Sequence, residues 1–123
     1  MKIDTWKQFF DSLGNGFLTI CGKTTGTCVK ITNILEGTVT NTLGAKGAGV
    51  VTTFTVAVPG VTVGKGYVLG VEGNDNTQIT PDKTRVEARI TGSDQVTVSV
   101  ENITGGSITY PAITWRVACL LQA

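Results

Sequence analysis

The sequence predicts an all-β fold: an antiparallel β-sandwich, jelly-roll-like, with a short N-terminal helix or arm. Three observations carry that expectation. The 123 residues include 21 threonines and 15 valines, and β-branched side chains suit the pleated strand better than the helix. Apolar and polar residues alternate with period two through several segments, the mark of strands with one buried and one wet face. Clusters of Gly, Pro, Asn and Asp interrupt those segments at short intervals, as in a sandwich or jelly roll.

The elements follow in order. Thr5 or Asp4 can cap a helix over residues 5–13, in which Trp6, Phe9, Phe10 and Leu13 fall at i, i+3, i+4 and i+7. Gly14 ends that helix, and Asn15-Gly16 continues the break. Two turns of helix are marginal in water, so this apolar stripe must dock. It either closes the end of its own sandwich or packs as an arm on a neighbouring subunit. Trp6, Phe9, Phe10 and Leu13 are therefore the candidate contact residues.

Phe17 to Cys21 and Cys28 to Leu35 read as a hairpin around the loop Gly22-Lys23-Thr24-Thr25-Gly26-Thr27. Gly44-Ala45-Lys46-Gly47-Ala48-Gly49 reads as a loop or linker. In the next strand Val50, Phe54, Val56 and Val58 share one face, and Pro59-Gly60 stops it. Tyr67 to Val71 forms a further strand, followed by the polar loop from Asn74 to Asp82. Thr84 to Thr91 alternates, with Val86, Ala88 and Ile90 inward and Arg85, Glu87 and Arg89 outward. Gly92-Ser93-Asp94 turns the chain into Val96, Val98 and Val100, again alternating. A loop from Thr104 to Pro111 leads to a last strand with Ile113, Trp115, Val117 and Cys119 on one face. Residues 1–49 thus comprise an arm and the first strands, and residues 50–123 the sandwich core, within one compact domain.

Composition narrows the function. A net charge of +1, without a basic run, lacks the footprint of a nucleic-acid binder. Apolar stretches fall short of the roughly 20 residues that cross a bilayer, and Asp4, Lys7, Gln8 and Asp11 interrupt any signal-peptide core. The expectation is synthesis in a cytoplasm, with no membrane partner. Histidine is absent, which removes most catalytic triads and most zinc sites. No enzyme activity, cofactor or metal is expected.

Each chemical motif has a plainer reading. Gly22-Lys23-Thr24 resembles the end of a phosphate-binding loop but lacks a glycine five positions earlier, where Phe17 stands. Cys21 and Cys28 flank a hairpin loop, where free thiols and a cross-strand bridge are both conceivable. Glu87 and Glu101, with Arg85 and Arg89 nearby, read as a surface salt-bridge ladder rather than a glycosidase pair. Asp75 and Asp82 lack the dense Asp/Asn alternation of a calcium loop. Asn102-Ile103-Thr104 matches a glycosylation sequon but reads as a turn, and Trp115 reads as core rather than a sugar platform.

One resemblance adds to this. Val51-Thr52-Thr53-Phe54-Thr55-Val56-Ala57-Val58-Pro59-Gly60-Val61-Thr62-Val63-Gly64, then Val96 to Thr104, then Thr114-Trp115-Arg116-Val117 follow in a particular order and spacing. That pattern resembles a β-sandwich module of structural proteins in tailed bacteriophages, including cyanophages. Lys65 departs from it, since that position is often acidic in such modules. The resemblance implies a virion protein on the capsid exterior: a capsid decoration (cement) protein that binds the major capsid protein, as a homotrimer. A head or tail fibre module touching host glycans through loops 72–83 and 103–111 is the alternative.

Overall fold

The computed structural model describes the backbone of residues 18–21 and 28–122 and the side chains of residues 34–121. The expected helix over 5–13, with Trp6, Phe9, Phe10 and Leu13, lies outside the described residues. So does the Gly22–Thr27 loop.

Among the described residues seven strands run β1 Leu18–Cys21, β2 Cys28–Lys46, β3 Val51–Ala57, β4 Gly66–Gly73, β5 Thr84–Gly92, β6 Gln95–Asn102 and β7 Ile108–Gln122. They form two antiparallel sheets, ordered β1-β2-β7-β4 and β3-β6-β5. The fold is an all-β sandwich, as the alternating pattern predicts. β2 shares a sheet with β4 and β7, so the sandwich draws strands from both sides of residue 50.

The core lies between the sheets. The three-stranded sheet contributes Val56, Val96, Val98 and Val100, and the four-stranded sheet contributes Ile113, Trp115, Val117 and Cys119, all at most 2% exposed. Phe54 of β3 packs across the gap on Trp115, with ring centroids 5.2 Å apart, a tilted arrangement that aromatic quadrupoles favour.

Where the two sheets converge, backbone meets backbone. A Cβ on Gly37 of β2 would collide with the carbonyl oxygen of Ala57 at the end of β3. Glycine is required there because β2 must pass directly over that carbonyl. The β5–β6 turn is tied to the chain that follows β3. Asp94 accepts from the Gly60 amide through Oδ1 at 2.7 Å, and its own amide donates to the Val61 carbonyl at 2.8 Å.

Three boundaries differ from expectation. β2 continues to Lys46 despite its glycines, because Ala45 and Lys46 pair with Thr109 and Ile108; the loop shrinks to a turn in which the Val50 amide donates to Gly47. Val50 is consequently 41% exposed, not on the inner face. β7 starts at Ile108, ahead of Pro111. Pro111 lies beyond the last β4 partner, Gly73 opposite Trp115, where β7 has a neighbour on one side only, a position that tolerates a missing N–H.

That early start reflects a change of face. Ile108 and Tyr110 are buried, Pro111 and Ala112 are both exposed, and burial resumes at Ile113. β2 turns with its partner at Gly44, whose φ of +73° is left-handed and suits glycine above other residues.

Candidate functional site

The outer wall of the four-stranded sheet is the candidate site. In a half-buried sheet this wall should be polar, and much of it is: Thr38, Thr40, Thr42, Thr109 and Thr114 are exposed. The Thr40 and Thr114 hydroxyls hydrogen-bond at 2.8 Å across β2 and β7. Toward the β1 end the wall turns apolar. Ile34 of β2 and Tyr67 of β4 both stand opposite Leu120 of β7, making one cross-strand row. Tyr67 is 56% exposed, Leu69 55% and Ile34 55%.

A β-bulge builds part of this row. Val68 pairs with Cys119 and Gly70 with Ala118, which leaves Leu69 as the extra residue. A bulge re-aims a side chain at the cost of one unpaired residue, and here it adds Leu69 to the outer wall beside Tyr67. Next to Leu69 a shallow groove of about 390 Å³ is lined by Gly70, Val71, Glu72, Arg116 and Ala118. Glu36 stands opposite Ala118, and Glu72 and Thr38 stand opposite Arg116, so exposed charge borders the apolar row on one side.

The other wall is built differently. Arg85 donates to Glu101 across β5 and β6 at 3.2 Å, one rung of the expected salt-bridge ladder. Glu87 stands opposite Ser99 and Arg89 opposite Thr97. Thr91 and Thr97 share a hydroxyl bond of 2.7 Å.

The remaining candidates resolve into structure. Trp115 is fully buried and donates from Nε1 to Asn41 Oδ1 at 3.0 Å. Asn102 is 1% exposed. Its Nδ2 lies within 3.0 Å of the carbonyls of Lys46, Gly47 and Gly106, and its Oδ1 accepts from the Thr104 amide and hydroxyl. The sequon is a turn, as expected, with its asparagine buried and Ile103 exposed. Asp75 accepts from the Thr77 amide and hydroxyl and from the Gln78 amide. Desolvation raises its pKa, but hydrogen bonds from Thr77, Gln78 and Ile79 outweigh that and leave it lowered. Among the described residues no three of His, Cys, Asp and Glu cluster as metal ligands would. Cys21 and Cys28 are direct partners across the β1–β2 hairpin. Cys119 is a free, fully buried thiol whose pKa is raised by desolvation.

The apolar row was not anticipated from the residues, although a signal existed. Tyr67-Val68-Leu69 and Ala118-Cys119-Leu120-Leu121 are unbroken apolar runs, and a strand with one wet face needs only every second position apolar. The surplus marks a second face that is not simply solvated. Comparison with protein-family models, with curated proteins and with solved structures finds no match for this chain.

Proposed function

We propose that this chain is a virion structural component, a capsid decoration protein that binds the outer surface of a phage head in association with copies of itself. One observation supports the reading. The three stretches that carry the sequence resemblance assemble into a single contiguous unit. β3 pairs with β6 along its whole length, from Val51 opposite Glu101 to Ala57 opposite Gln95. Trp115, from the third stretch, packs on Phe54 between them. Those stretches therefore form one packed centre, completed by β2 and β4 on either side of β7, with the outer walls of the sandwich left for docking. Binding at such surfaces rests on apolar burial, worth about 25 cal/mol per Å² before ordering costs, repeated over every copy on a shell.

The test is co-sedimentation of the purified chain with heads of the phage that encodes it, beside its native mass. Saturable binding to heads by an oligomer is expected. A monomer that stays in the supernatant ends this reading. Binding to host glycans instead of heads selects the fibre alternative.

A further inference from the structure

We propose that β5 is a docking edge for a second copy of this chain. Two β5 strands pair antiparallel about a twofold axis at Ala88, with Glu87 of each facing Arg89 of the other. This goes beyond the decoration reading and does not depend on it.

The backbone carries the first half of the argument. β5 ends the three-stranded sheet, and among the described residues it pairs with β6 alone. At its start the Ile103 amide donates to the Lys83 carbonyl at 3.0 Å, while the Thr84 amide turns back to Thr80 at 2.9 Å. Bonded and non-bonded pairs alternate along an antiparallel ladder. Arg85, Glu87 and Arg89 therefore bond to β6, and Val86, Ala88 and Ile90 aim their amides and carbonyls at the open edge. Among the described residues no main-chain group takes these up. Such a row is a template for another strand unless something blunts it. The other edges are blunted: β1 has four residues, β4 carries the Leu69 bulge, and β2 crosses the end of β3 at Gly37. β5 keeps an unbroken register from Thr84 to Ile90.

Charge selects the partner. Charge on an edge strand normally deters pairing, but here the signs alternate: Arg85, Glu87 and Arg89 are all exposed on the outer wall. Arg85 is held by Glu101 at 3.2 Å, whereas Glu87 and Arg89 face only Ser99 and Thr97 across β6. With the axis at Ala88, that residue bonds to its own copy and Val86 bonds to the partner's Ile90. Glu87 then stands opposite the partner's Arg89, twice by symmetry, in the non-bonded pairs where side chains come closest. Val86 and Ile90, both half-buried, each gain an apolar neighbour on the inner face.

No other register does this. An axis at Glu87 sets that carboxylate against itself and Arg85 against the partner's Arg89. An axis at Arg89 sets two guanidinium groups face to face. An axis at Val86 sets Arg89 against the partner's Lys83 and needs the Thr84 amide, which Thr80 already holds. A strand that matches its own copy in one register and repels it in the neighbouring ones is specific.

Charge reversal in the intact chain is the test. The contact is small for a specific interface, so sedimentation equilibrium should show a reversible dimer above roughly 100 µM. Glu87→Arg alone and Arg89→Glu alone should each weaken it about tenfold or more, because each reversal acts twice. The two single variants, mixed in equal amounts, should pair with each other. Glu87→Arg with Arg89→Glu in one chain should restore the dimer. Amide exchange at Val86, Ala88 and Ile90 should slow several-fold in the dimer and not in either single variant. Tyr67→Lys with Leu69→Lys, on the other sheet, should leave the mass unchanged. Both reversed side chains are exposed, so circular dichroism should stay constant while association changes. A twofold contact closes at two copies. A monomer up to about 1 mM, a trimer, a dimer indifferent to the reversals, or single variants that fail to pair when mixed overturns the proposal. No capsid enters this measurement, so it can fail while co-sedimentation succeeds, and the reverse.

Discussion

The two sheets solve opposite problems. The three-stranded sheet keeps to the simple rule: valines inside, and outside a wall of threonine and charge on which Arg85 and Glu101 pair across strands. Both sheets bury polar atoms between them: the Trp115 indole bonds Asn41, the Tyr110 hydroxyl meets Thr84 of β5 at 2.9 Å, and Asn102 at the end of β6 is 1% exposed. The four-stranded sheet breaks the rule on its outer face, where it leaves Tyr67 and Leu69 more than half exposed. The difference teaches that period-two alternation identifies a strand but not what its outer face is for. Buried polar atoms need partners with fixed geometry, so specific contacts such as Tyr110 on Thr84 position the two sheets against each other.

That contrast can be broken by mutation. The largest effect is expected at the aromatic centre. Trp115→Ala should cost about 4 kcal/mol, against about 2 kcal/mol for Val98→Ala in the facing sheet, read from urea unfolding at constant slope. Equal costs would mean that the two sheets contribute alike. Next comes the seam between them. Gly37→Ala should cost about 3 kcal/mol, because the added methyl meets a backbone carbonyl that cannot rotate away; a neutral outcome would show that β2 and β3 separate freely there. The smallest effect concerns the loop after β4. Asp75 has a folded-state pKa below its unfolded value, so its contribution is present above the unfolded pKa and lost as pH falls through the lowered folded one. Its carboxyl resonance should titrate below an ordinary aspartate. Thr77→Val should move that midpoint up, and an unmoved midpoint would remove the hydroxyl as a cause.

Much of the sandwich was legible because burial imposes a strict period. Val86, Ala88 and Ile90 on β5 and Val96, Val98 and Val100 on β6 face inward as their alternation requires. The Gly92-Ser93-Asp94 turn joins them, with Asp94 at φ +60°. What escaped was set by partners distant in sequence. Gly44 to Lys46 reads locally as a flexible stretch, yet β7 holds it in a ladder. Pro111 reads as a breaker, yet it occupies the stretch of β7 that lacks a second neighbour. The candidate site was less legible than the fold. A bulge at Leu69 depends on which residues of β4 and β7 face each other, and no local pattern states that register.

Asn102 carries one last consequence. Both hydrogens of its carboxamide are committed to main-chain oxygens, and its oxygen holds Thr104 in the turn. An oligosaccharide transferase needs that same nitrogen accessible, so sugar can be attached only to a chain that has not yet closed this turn. A chain so marked could not then close it. Asn102-Ile103-Thr104 is therefore a latch within the folded domain, and a sugar on Asn102 would hold that turn open.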